Sequence, residues 1–142
     1  MQSNRREIVN MNNKFKHMDY IQSAISRMAS HSFYLKGWNI TIIAAIVALS
    51  FKESDWRIYS CALFLNIVFW FLDAYYLQQE KLFRELYFDV SKKNEKEIDF
   101  SMNTSEFKEK VPKIPWLMMY NISITPLYLA ISLVLLILIH IV

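Results

Sequence analysis

The polar and apolar positions of the chain lay out two long helices and a shorter third. Met18, Ile21, Ile25, Met28, Ser32, Leu35, Asn39, Ile42, Ile46 and Leu49 follow one another at spacings of three and four. That rhythm is one seam of a helix packed nearly parallel to a partner helix. The seam begins near Asp19 in a wet segment holding Arg27 and His31, passes Lys36 and Trp38, and enters the uncharged run from Gly37 to Phe51. A bilayer crossing takes about 20 residues, so Phe33, Tyr34 and the stem of Lys36 complete the span at the interface. Lys52 to Asp55 is a tight polar connection, with Ser54 or Asp55 placed to cap the next helix. From Trp56 to Leu77 the chain is again apolar, with Asp73 the one charge in its interior. No Gly or Pro then stops the helix before Lys93. Leu82, Phe83, Leu86, Tyr87 and Val90 carry an apolar face on into water, and Lys92, Lys93 and Lys96 suit a helix C-terminus.

The expected fold class is therefore all-α: an integral membrane helical hairpin with long cytoplasmic extensions, plus a third C-terminal transmembrane helix. The boundaries follow from the pattern. Residues 1–18 form a polar N-terminal segment and 19–97 the hairpin, with spans at about 35–51 and 56–77. Residues 98–115 form a cytoplasmic loop with Ile98, Phe100, Met102 and Phe107 as docking points, and 116–142 the third span. Asn121, Ser123, Thr125 and Pro126 predict a kink or an interfacial turn near the start of that span. Met1 to Lys16 has no apolar stretch that could act as a signal peptide, so the first span is expected to serve as its own insertion signal.

Composition narrows the function more than it names one. The single glycine, Gly37, excludes glycine-rich phosphate loops, and the single cysteine, Cys61, excludes an internal disulfide and reads as a small packing residue. His17, His31 and His140 are too scattered for a metal site, and Arg27 with His31 alone does not make a nuclease. No metal, cofactor, enzymatic activity or nucleic-acid partner is expected. A net charge of +3 fits anchoring to an anionic leaflet.

The basic residues orient the chain. Six Lys and Arg precede the first span, two lie in the short connection, eight lie between the second and third spans and none follows. The positive-inside rule then puts the N-terminus and the long loop in the cytoplasm, and the hairpin tip and C-terminus outside, in a multi-pass inner-membrane protein. If the hairpin turns near Ser54, Asp73 mirrors residue 35 or 36, which predicts an interfacial ion pair with Lys36. The same mirror sets Arg27 beside Glu80. Asn66, Asp73 and Glu80 are seven apart, as are Ser32 and Asn39, so two polar seams face something other than lipid. Asn39, Asn66 and Asp73 either glue the hairpin together or line a polar path built from several copies.

Two segments carry a resemblance: HSFYLKGWNITIIAAI, His31 to Ile46, and WFLDAYYLQQEKLFRELY, Trp70 to Tyr87. They resemble a family of small, mostly uncharacterised prokaryotic multi-span membrane proteins. The wider plan, from about Asp19 to Lys93, is similar to SLATT-type membrane effectors of anti-phage systems, although the third span departs from a two-span plan. That resemblance implies a homo-oligomeric inner-membrane effector or ion-conducting pore. Arg27, His31, Glu80, Arg84, Phe83 and Tyr87 in the cytoplasmic extension would then serve gating or assembly. The alternative is a non-conducting membrane anchor or accessory subunit for a cytoplasmic, operon-encoded partner enzyme. The bilayer is a partner in both.

Overall fold

The computed structural model of the protein describes residues 2–50 and 55–142, with side chains from residue 12 onward, position 96 excepted. All regular structure among these residues is helical. α1 runs Gln2–Ser50 and α2 Trp56–Lys92, about 73 Å and 55 Å long at 1.5 Å per residue. Two single 3₁₀ turns, Glu95–Glu97 and Ser105–Phe107, interrupt the loop, and α3 (Ile114–Tyr120) and α4 (Thr125–Ile141) follow. α1 and α2 are long and apolar enough to cross a membrane. α3 and α4 meet that test only as a pair, bent by 74° at the break between them.

α1 starts at Gln2, well before Asp19. The sequence before Asp19 is polar, but polarity does not end a helix, and no Gly or Pro occurs there to do so. The polar connection from residue 51 to 54, with Ser54, lies outside the described residues. Asp55 is the N-cap of α2: its side chain accepts from the backbone N–H of Arg57, 2.9 Å away. Replacing Asp55 with Ala should cost about 1 kcal/mol, the usual worth of an N-cap, read as a lower midpoint in detergent unfolding. No shift on Asp55→Ala would mean that packing alone fixes this end.

Three apolar clusters hold the elements together. In the charged half, Ile21 and Ile25 of α1 meet Leu82, Leu86 and Val90 of α2, and Phe107 and Val111 of the loop fold back to close that cluster. In the apolar half, Ile43 meets Tyr59 and Ala62, with Leu135 of α4. Between them Ala74 of α2 packs on Leu117 of α3 and on Ile124 and Tyr128 near the start of α4. α1 and α2 are therefore antiparallel over their whole paired length, and α4 runs back along α2.

The buried stripe of α1 departs from the expected seam after Asn39. Ile43 and Ser50 are buried where Ile42 and Leu49 were expected, and Leu49 is 82% exposed. A straight helix drifts about 20° per seven residues from a strict heptad, so a stripe begun near Ile21 walks on by one position over three heptads. Cys61 faces outward and is not a packing residue.

Candidate functional site

The apolar half of the hairpin contains an internal polar ladder, and that ladder is the candidate site. Its lower rung joins Ser32, Lys36 and Asp73. Asp73 is 0% exposed and Lys36 20%. Lys36 Nζ stands 2.7 Å from Asp73 Oδ2 and donates to Ser32 Oγ at 2.8 Å, and Ser32 Oγ donates in turn to Asp73 Oδ1. The approach of Lys36 to Oδ2 is an ion pair without the alignment of a hydrogen bond, so the hydroxyl of Ser32 supplies the directed contact. A carboxylate held this far from water needs both.

The upper rung lies one heptad away on each helix. Asn39 Nδ2 donates to Asn66 Oδ1 at 2.7 Å, and both residues are 0% exposed. Asn66 then spends its own amide on α4, donating to the carbonyl of Tyr128 at 3.1 Å and to Ser132 Oγ at 2.9 Å. One side chain thus ties three helices. Trp70 stacks on Tyr128 with ring centroids 5.9 Å apart, filling the space between the rungs. The hydroxyl of Tyr128, Nε1 of Trp70 and Oδ1 of Asn39 are buried without a hydrogen-bond partner among the described residues, so the ladder is not fully satisfied.

The ladder fixes the register of the hairpin. Ser32 with Asp73 and Asn39 with Asn66 are each symmetric about the point between residues 52 and 53. A turn centred on Ser54 would have set Asp73 against residue 35 or 36. The true register sets it against Ser32, and Lys36 reaches it from one turn further along α1.

The other residues singled out by the sequence fall apart from this ladder. Glu80 leaves the seam, because the buried stripe of α2 moves to Leu82, Leu86 and Val90. Its carboxylate pairs with Arg84, 2.7 Å away and one turn on, in place of Arg27. Arg27 is exposed and enters no ion pair among the described residues. His31 is exposed with its ring 5.1 Å from that of Tyr76. Phe83 and Tyr87 are half-buried against the cluster of Ile21, Leu82 and Leu86 inside the chain. Phe88 remains exposed, with Lys92 Nζ 3.8 Å above its ring.

Sequence reasoning missed two groups. Tyr128 and Ser132 complete the ladder from α4, and their signal was there to read: two polar residues one turn apart in the apolar middle of that helix. The second is a clamp at the far end of the charged half. Lys14 Nζ donates to the carbonyls of Ser91 and Lys93 at 2.9 and 2.8 Å, capping the C-terminus of α2 with a positive charge. Buried His17 lies with Nε2 3.1 Å from the carbonyl of Ser101, and Phe100, whose φ is 56°, sets its ring 5.3 Å from that of His17. These contacts fold the loop against α1. Just before, the backbone N–H of Ser101 holds the Asp99 carboxyl below the usual carboxylate range. That turn therefore contributes stability at neutral pH and loses it as the medium becomes acidic enough to protonate Asp99.

Among the described residues no group of three His, Cys, Asp or Glu side chains stands close enough to share a metal ion. The arrangement can bind helices to one another, and no lumen opens onto Asn39, Asn66 or Asp73 within the chain. Comparison with protein-family models, with curated proteins and with solved structures finds no match to this chain.

Proposed function

We propose that the chain is an inner-membrane protein whose hairpin and broken third helix are locked by the polar ladder into one non-conducting anchor. It would hold a rigid cytoplasmic stalk, formed by the charged halves of α1 and α2, on which a cytoplasmic partner docks. One observation supports this reading above the others: Asn39, Asn66 and Asp73 are all 0% exposed inside a single copy. Polar groups that lined a shared path would have to be open on one side.

Depth markers agree with it. Tyr34 and Trp38 of α1 are exposed near Lys36, and Trp116 and Tyr120 of α3 are exposed where Leu117 packs on Ala74, next to Asp73. Trp56 is exposed at the other end of α2, about 26 Å away by helical rise. Two aromatic levels separated by nearly the thickness of a hydrocarbon core are what a spanning segment presents. In this placement α4 makes the third crossing and α3 lies along the inner interface. Outside the lipid, Phe15, Tyr20 and Phe88 are exposed on the stalk, apolar surface that a partner would cover.

A second reading, the homo-oligomeric effector or ion-conducting pore, is favoured by the pair Lys36–Asp73. A buried charged pair carries a desolvation cost that apolar packing does not, and ionisable residues inside a membrane mark ion pathways, proton relays and voltage sensors. In that reading several copies assemble and α1 parts from α2, turning the ladder toward a common lumen.

Reconstitution in liposomes separates the two. The anchor reading predicts no ion flux from the purified chain, one or two copies in detergent, and co-purification of one cytoplasmic partner from native membranes. Flux together with a ring of several copies would replace it with the pore.

A further inference from the structure

A groove of about 380 Å³ lies between α2 and the inner-interface helix α3, walled by Lys81, Pro112, Trp116, Leu117, Tyr120 and Asn121. Its chemistry is one-sided. No carboxylate lines it. The carbonyl of Pro112 is already used, accepting from Gln78 Nε2 at 3.1 Å, and Oδ1 of Asn121 accepts from the backbone N–H of Ser123 at 2.9 Å. What the lining side chains still offer is mostly donors, the ammonium of Lys81, the amide nitrogen of Asn121 and the indole N–H of Trp116, with the hydroxyl of Tyr120 able to donate or accept. Lys81 enters no ion pair among the described residues. A half-buried cation among donors calls for an anion with several acceptor oxygens, and a phosphate ester is the most common such group at a membrane surface.

The surroundings say which phosphate. Trp116 and Tyr120 are 59% and 69% exposed and stack on each other with centroids 5.4 Å apart, and Ile122 beyond them is 91% exposed. Leu117, on the adjoining flank of α3, is buried against Ala74, so α3 packs by that flank and leaves the two aromatic rings open. The 74° bend at the break lays α3 across the start of α4, whose outer surface of Leu129 and Leu133 is bare. A headgroup seated on Lys81 would thus have apolar side chains beside it for its acyl chains, which a free phosphate ion does not need.

We infer that the groove between Lys81 and α3 is a binding site for the phosphate headgroup of an anionic phospholipid of the inner leaflet. The inference rests on the membrane placement of α3 given above. Lys81 supplies the charge, Trp116 and Tyr120 sit at the glycerol level, and the bound lipid pins α3 in the interface.

The test uses the full chain with phosphatidylglycerol and phosphatidylcholine as probes, lipid retention being read by native mass spectrometry from mild detergent. The wild type should retain phosphatidylglycerol over phosphatidylcholine. Lys81→Gln should reduce that preference about fivefold, the weight of one juxtamembrane lysine near an anionic surface. Trp116→Ala with Tyr120→Ala should lower retention of both lipids. Lys92→Gln, outside the groove, should change nothing. Equal retention of the two lipids by wild type, or equal losses in Lys81→Gln and Lys92→Gln, would overturn the site. Displacement of the lipid by inorganic phosphate would assign the groove to a free anion and overturn it as well. Carbonate extraction of native membranes separates this failure from a deeper one: release of the chain would sink the membrane placement itself, whereas a retained chain without lipid preference would sink only the groove.

Discussion

Lys36→Met should destabilise the folded chain by about 3 kcal/mol, at the low end of the 3–5 kcal/mol seen when one partner of a buried ion pair is removed. The low end applies because Lys36 is 20% exposed and keeps part of its hydration, while Asp73 has none. Without the ammonium, the hydroxyl of Ser32 makes the one aligned contact to the carboxylate, with the Tyr128 hydroxyl nearby. The double change Lys36→Met with Asp73→Leu should recover most of the loss, since an apolar pair in the same place carries no desolvation cost. Both are measured as unfolding free energies in mixed micelles. A double variant less stable than Lys36→Met would show that the carboxylate has a further partner, and an unchanged single variant would show that the pair does not form.

Asn66→Leu should cost about 2 kcal/mol. The figure follows from counting its bonds. Asn66 accepts once from α1 and donates twice to α4, and interhelical hydrogen bonds in membranes average about 0.6 kcal/mol each. Asn39→Leu breaks only one of them and should cost about a third as much. Together the two changes should cost less than their sum, because Asn39 then no longer strands a buried donor. The readout that separates this from simple loss of packing is α4: cysteines placed on its inner face should become reactive in Asn66→Leu and stay protected in Asn39→Leu. Protection in both would mean that Tyr128, Leu135 and their apolar neighbours hold α4 without help.

These two residues also mark how far the sequence can be read. Helix type and the reach of α2 were legible because α1 and α2 contain no proline and a single glycine, so nothing local competes with the 3.6-residue repeat; the start of α1 at Gln2 was not, because a polar stretch carries no apolar repeat to count. The meeting of Lys36 with Asp73 was legible from a lone carboxylate in an apolar run and the mirror symmetry of a hairpin. The register was not. The position of the turn is settled by which side chains interlock, Ser32 under Asp73 and Asn39 under Asn66, and no spacing along one strand of sequence carries that. Arg27 with Glu80 failed for a related reason. An arginine one turn away on the same helix reaches Glu80 at no cost in register, and Arg84 does so. The part played by α4 left a faint trace, Tyr128 and Ser132 one turn apart, but a hydroxyl in a leucine-rich helix looks like tolerated composition until another helix brings an amide to it. The Lys14 and His17 clamp was hidden because it joins residues more than 70 positions apart through a loop with no repeating pattern.

The central claim is that the polar ladder is closed inside one copy of the chain. It is tested most directly with Cys61→Ser as background and cysteines in place of Asn39 and Asn66, treated in native membranes with a short thiol-to-thiol crosslinker. The account predicts a crosslink within one chain, with monomer mobility. It predicts none between chains when the two substitutions are carried on separate, co-expressed copies. A crosslink that forms only between copies, or ready labelling of either cysteine by a charged water-borne thiol reagent, would contradict it.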